Sequence, residues 1–277
     1  MTEAAQPSQL WTPPAISTSG YESSPTFTPD GREMYFVSAD RNFRGYQILR
    51  SRCEDGAWAA PEAAAFGLPL PIIEADPHVT ADGQRLYFIS SRQAPEREDF
   101  DIWYVQRTAE GRWGPPQRLP EPVNSRHAEL LPRVDRDGTL YFGSDRPGGF
   151  GQSDIYTARQ DAAGRWIVAN VGPPVSTAAN DYEAEVSADG RRLILVSDRG
   201  DKSHLYRFDK RDDGWIEVGR VPAADDVFQV GPLLSPTGDR LLFAQAAGER
   251  SGEIYMVNLA VRPDRSWPPC GANAPRG

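Results

Sequence analysis

Lysine is nearly absent from this chain: Lys202 and Lys210 are the only two among 277 residues. Histidine appears three times (His78, His127, His204) and cysteine twice (Cys53, Cys270). Two cysteines are too few for a disulfide framework or a cysteine-based zinc site. Unpaired, partly buried thiols are therefore expected, with a Cys53–Cys270 bridge as the alternative if the two ends of the fold meet. No G-x-S-x-G elbow and no H-E-x-x-H pair occurs, which removes the usual signatures of α/β-hydrolases and zincins. Basic residues are outnumbered 30 to 39, for a net charge of -9. That disfavours nucleic acid and anionic membrane as partners, since both need a basic footprint. No apolar run approaches the roughly 20 residues of a membrane helix, so no membrane insertion is expected. The opening MTEAAQPSQLWTPP lacks the basic and apolar regions of a secretory signal. As written, the chain is expected in the cytoplasm, with the periplasm as the alternative. An amphipathic helical period is missing too.

What is present is repetition. Pro25–Ser38, PHVTADGQRLYFISSR from Pro77, PRVDRDGTLYFGSDR from Pro132, AEVSADGRRLILVSDR from Ala184 and PLLSPTGDRLLFAQA from Pro232 are versions of one segment. Their turn residues Asp30, Asp82, Asp137, Asp189 and Thr237 lie 52, 55, 52 and 48 positions apart. A period near fifty, with turn-flanked strands, predicts a β-propeller or a similar array. Asp-Gly between β-rich runs is a hairpin signal, because both positions tolerate positive φ.

Each unit reads as four strands. An inner strand precedes the turn and a second follows it (Met34–Ser38 in unit one, Leu140–Ser144 in unit three). A third carries an Ile-Tyr pattern (Ile155-Tyr156, Ile254-Tyr255), and a fourth is marked by Gly then Trp (Gly56/Trp58, Gly164/Trp166). Unit five needs a fourth strand, and Gln9–Pro14 is preferred over Arg265–Pro269. The expectation is an all-β chain: a single β-propeller of four-stranded antiparallel blades, five in number with six as the runner-up, closed by the N-terminal strand. Residues 1–8 are read as a disordered segment, 9–262 as the propeller and 263–277 as a tail. Joining both termini in one blade would remove an open edge.

The Asp-Gly turn, the Leu-Tyr-Phe-x-Ser strand, the Ser-Asp-Arg after it and the Asp-Ile-Tyr strand resemble the TolB-like, WD-repeat-like β-propeller family. Ser144-Asp145-Arg146-Pro147-Gly148-Gly149-Phe150-Gly151-Gln152-Ser153-Asp154-Ile155-Tyr156 carries the nearest match. The resemblance runs from about Leu10 to Val261. It implies a protein-interaction or ligand-binding module, often of the bacterial cell envelope. Unit five departs from the pattern, with Thr237 at the turn and Gln245-Ala246 in place of the Ser-x-Arg element.

In such a fold the inner strands line the axis, and the loops between second and third strands share one face. Eight residues before each turn stand Glu22, Glu74, Glu129, Asp181 and Gln229. Two further on come Ser24, Asp76, Leu131, Glu183 and Gly231, and two beyond those Thr26, His78, Arg133, Glu185 and Leu233. Alternate residues share a side of a strand, so these columns are expected to project together as an acidic, ligand-accepting mouth. The candidate ligand-binding residues are Glu22, Glu74, Asp76, His78, Glu129, Arg133, Asp181, Glu183 and Glu185, with the loop aromatics Phe43, Tyr46, Phe100 and Phe150. The competing reading is that each repeated carboxylate accepts hydrogen bonds from a neighbouring blade. Arg41, Arg92, Arg146 and Arg199 are expected to pair with strand carboxylates such as Asp101 or Asp154, and the outer tryptophans to wedge between blades.

The expected function is a non-catalytic module recognising a protein, peptide or carbohydrate on that face, with no catalytic residue. The alternative is a glycan-active, glycoside hydrolase-like enzyme using Asp76, Glu183 and Glu185, whose chemistry needs two carboxyls at a set separation. No cofactor is expected. Calcium held by channel carboxylates is a third possibility, since hard cations prefer such oxygen ligands.

Overall fold

The computed structural model describes residues 7–96, 99–200 and 202–271. Among them all regular structure is β-strand. β1 (Gln9–Leu10) opens the chain. Unit one supplies β2 (Tyr21–Phe27), β3 (Glu33–Ala39), β4 (Gln47–Glu54) and the short β5 (Ala57–Trp58) and β6 (Glu62–Ala63). Unit two supplies β7 (Glu74–Val79), β8 (Arg85–Ser90), β9 (Asp101–Gln106) and β10 (Gln117–Arg118). Unit three supplies β11 (Glu129–Val134), β12 (Leu140–Ser144), β13 (Asp154–Gln160) and β14 (Trp166–Asn170). Unit four supplies β15 (Asp181–Val186), β16 (Arg192–Ser197), β17 (His204–Arg211) and β18 (Gly214–Arg220). Unit five supplies β19 (Gln229–Leu234), β20 (Arg240–Ala247) and β21 (Arg250–Asn258).

Units two, three and four are each a four-stranded antiparallel sheet in meander order. Units one and five share a nine-stranded sheet, because β2 meets β21 in parallel at Tyr21 and Gly252. β1 pairs antiparallel with β21, Gln9 opposite Met256. The sheets stack as repeat units do, each burying a face against the next. Tyr35, Ile48 and Phe66 pack on Val79, Leu86 and Phe88. Tyr141 and Ile155 pack on Leu193 and Phe208, and Ile194 and Leu205 on Leu241 and Phe243. Trp113 crosses between units, donating from Nε1 to the Tyr35 hydroxyl at 2.7 Å.

One expectation changes at the seam between units five and one. Among the described residues, those after β21 (259–271) form no strand, and part of this segment is packed. Trp267 is buried among Leu233, Leu242 and Ile254, edge-on to Phe27 of unit one. Cys270 then bonds to Cys53 on β4, with Cα atoms 5.5 Å apart across 217 residues of sequence. The thiols expected to be free are therefore paired. The stacking of units brings the two ends together, which no local feature of either cysteine announces.

Candidate functional site

Glu22, Glu74, Glu129 and Asp181 stand at the heads of four inner strands, and all are buried. A buried carboxylate needs donors, and each unit supplies its own. Thr18 donates from Oγ1 to Glu22 at 2.5 Å, Ser125 to Glu129 at 2.6 Å and Thr177 to Asp181 at 2.8 Å, in every case from four residues upstream. Arg92 reaches Glu74, Arg146 reaches Glu129 at 2.9 Å, and Arg199 lies 3.9 Å from Asp181. Here the expectation is corrected. Arg92 and Arg146 pair with the strand-head carboxylates, and Arg199 binds Glu217 at 2.6 Å; none of the three pairs with Asp101 or Asp154. Asp101 instead takes two bonds from Arg118, each 2.7 Å. Three of the four recurring arginines also lie over aromatic rings of their own sheet: Arg92 on Phe88 and Trp103, Arg146 on Phe142 and Tyr156, Arg199 on Tyr206 and Phe208. Such stacking adds to the ion pair. The repeated column thus ties each unit to itself.

The next columns do not simply continue it. Every inner strand carries a register shift, between Ser23 and Thr26, Ala75 and His78, Leu130 and Arg133, Asp181 and Glu183, and Val230 and Leu233. Ser24, Asp76 and Leu131 take φ of 47°, 55° and 42° there, and Gly231 takes 60°. Positive φ is strained for the three non-glycine residues. A bulge re-aims side chains, so the alternation that was to line up the three columns is interrupted.

Re-aimed, the second and third columns reach the neighbouring unit. Ser24 donates to Asp76 at 3.1 Å, and the other Asp76 oxygen accepts the Leu131 N–H at 3.1 Å. Glu183 accepts the Gly231 N–H at 2.8 Å. Gly231 sits so close to unit one that a Cβ there would lie 2.7 Å from Ser24 Oγ. One level down, Thr26 accepts the Val79 N–H at 3.1 Å and His78 Nε2 the Val134 N–H at 3.2 Å. Arg133 Nε donates to Glu185 at 2.6 Å, and Glu185 accepts the Leu234 N–H at 3.1 Å. The inner strands are laced shoulder to shoulder at two levels. His78, Arg133 and Glu185, which break the repeat in sequence, belong to this lacing.

Burial governs the electrostatics. Glu183 is pushed up to about 8, first by burial and then by the Asp76 charge. Asp76 is raised by burial, against the pull of Arg133 and the Leu131 N–H. Glu185 rises to about 7 by burial despite Arg133, and His78 is pushed down to about 3 by burial and Arg133. Arg133 is thus the cation among three carboxyl groups, with a neutral imidazole beside it. Glu183 keeps some exposure; Asp76, His78, Arg133 and Glu185 are all buried. Among the described residues no three His, Cys, Asp or Glu side chains are placed to hold a metal ion.

The loop aromatics separate. Tyr21 stacks edge-on with Phe43 and Tyr46, ring centres 5.2 and 5.9 Å away, and Phe43 meets Phe228 at 5.6 Å. Tyr46 and Phe100 pack against the core, whereas Phe43 and Phe150 are 40% and 54% exposed. A hollow of about 550 Å³ lies between the β3–β4 loop and the segment before β7. A groove of about 890 Å³ opens among the turns of units one and two, from Asp30 to Gly111. Sequence reasoning missed both, since neither carries a motif.

No protein-family model matches the chain, and no curated protein matches its sequence. Solved structures do resemble it in fold. A putative TolB from Agrobacterium tumefaciens superposes with a TM-score of 0.55 at 16% identity, over 89% of this chain and 93% of its own. TolB from Acinetobacter baumannii gives 0.54 at 18%, over 88% of this chain and 56% of its own. The chain thus spans little more than half of that TolB. An α-L-arabinofuranosidase from Podospora anserina, solved with cellotriose, gives 0.58 at 12%, over 92% and 96%. Likeness at such identities establishes a β-propeller fold and leaves function to the site.

Proposed function

We propose that this chain is a non-catalytic binding module, a TolB-like propeller of five blades in which β1 completes the fifth. It recognises a protein, peptide or carbohydrate on the face bearing the loops between second and third strands, β3–β4, β8–β9, β12–β13 and β20–β21 among them, and the inner-strand carboxylates. The lacing of the inner strands carries the reading. Asp76, Glu183 and Glu185, the carboxyls suited to glycan chemistry, spend oxygens on Leu131, Gly231, Leu234 and Arg133. A general acid and base must face substrate, and Asp76 and Glu185 are buried. The pairing of β1 with β21 supports the closure. The disulfide favours an oxidising compartment such as the periplasm, since such bonds are rare in the cytosol.

One observation favours a glycan-active enzyme instead. Burial, and after it the Asp76 charge, hold the partly exposed Glu183 up to about 8, the pattern of an acid beside a second carboxyl. A screen against arabinosides and other glycans, with Asp76→Ala and Glu183→Ala beside the wild type, separates the two. The binding reading expects no turnover. Turnover lost in both variants would replace it with the enzyme.

A further inference from the structure

Units two, three and four share a pattern at one place on the loop face that unit one lacks. The residue heading the third strand is Asp101 in unit two, Asp154 in unit three and His204 in unit four, each set opposite a serine of the second strand. In each case a residue of the outer strand, in the same register, closes on it. Arg118 binds Asp101, Asn170 binds Asp154 at 2.9 Å and Arg220 meets His204 at 2.6 Å. In unit one the head is Gln47, opposite Ser38, and the outer-strand residue in that register is Ala63. Alanine has nothing to offer Gln47.

Gln47 faces the 550 Å³ hollow instead. Ser38, Arg44 and Gln47 line one side of it, and Leu70, Pro71 and Ile73 the other. Among the described residues, the side chains of those three polar residues make no hydrogen bond or ion pair. The equivalent serines of units two and three, Ser90 and Ser144, are committed to Glu74 and Glu129. Asp40 also lines the hollow, but one of its oxygens already accepts the Asn42 and Arg44 N–H groups. Gly45, at φ 70°, lets Leu70 close against the loop.

We propose that this hollow takes the C-terminal carboxylate of an extended peptide, a proposal that rests on the binding-module reading. A guanidinium, an amide and a hydroxyl are the donors a carboxylate needs. The apolar wall of Leu70, Pro71 and Ile73 suits the last side chain. A volume of this size holds a terminal residue or two.

The test uses an array of hexapeptides ending in Leu, Ile or Phe, each with a free and an amidated C-terminus. The strongest binder is titrated against the intact, oxidised protein. Amidation and Arg44→Ala are each expected to weaken binding about tenfold to a hundredfold, the value of a charge-assisted hydrogen bond. Gln47→Asp with Ala63→Arg rebuilds the pair seen in unit two and fills the hollow. It is expected to abolish binding while the melting midpoint holds or rises. Arg44 is exposed, so its variant keeps the test valid if the double variant misfolds. Equal binding of amidated peptides, or full binding by the refilled protein, would overturn the proposal. Peptide binding that ignores these changes yet falls in Phe150→Ala would overturn the hollow and keep the binding module. Absence of any peptide or glycan binding would overturn both.

Discussion

Arg133 and Glu185 meet at 2.6 Å through Nε and Oε2, both side chains are buried, and they belong to different repeats. The pair locks unit three to unit four, and Glu185 passes the connection on to unit five through the Leu234 N–H. Glu185→Ala would strand a buried guanidinium, whose Nη2 already has no partner. We expect a loss of about 3–5 kcal/mol in chemical denaturation, the usual cost of orphaning one member of a buried pair. Arg133→Met with Glu185→Leu should recover much of it. A double variant as unstable as the single one would count against the lock.

Glu183 should make stability depend on pH. Its folded value of about 8 lies above the ordinary 4.5, so the folded chain holds a proton that the unfolded chain releases. That contribution is complete below pH 4.5 and is lost as pH rises through about 8, at no more than about 1.4 kcal/mol per pH unit. Glu183→Gln cannot titrate, so its melting midpoint, followed from pH 5 to 9, should fall less than that of the wild type. Parallel curves would remove Glu183 as the cause.

Reduction should loosen the seam. The Cys53–Cys270 bond ties the segment carrying Trp267 to unit one. Removing a bridge that closes so long a loop typically costs about 2–5 kcal/mol. Cys53→Ser with Cys270→Ser, melted beside the oxidised and reduced wild type, should match the reduced form. If all three melt together, the bond has no stabilising role.

A chelator should leave the melting midpoint unchanged. Arg133 already supplies the cation facing Asp76, Glu183 and Glu185, and further positive charge there meets its repulsion. A drop in midpoint with chelator, restored by calcium, would reinstate a bound ion.

Much of the fold was legible because its signals are local and repeated. The Asp-Gly turns, the alternating strands after them and the Ile-Tyr strands each recur. Part of the site was legible too. A strand-head carboxylate and a Ser-x-Arg element occur together in units two, three and four, and that joint occurrence is the mark of Glu74 with Arg92 and Glu129 with Arg146. The direction of Asp76, His78 and Arg133 was not legible, because it follows from bulges at Ala75–His78 and Leu130–Arg133. The hollow at Gln47 was not legible either, since it depends on Ala63 standing in the register that Arg118 fills in unit two.

The sequence by itself determined the strands, their turns and their grouping into repeats, since these follow from propensity and turn chemistry within a few dozen residues. The tertiary structure alone decided which irregular residues face a neighbour and which face solvent, and that Cys53 finds Cys270. Those outcomes depend on how the sheets stack and meet at the seam, a relation between residues as much as 217 positions apart. No window of the chain encodes it.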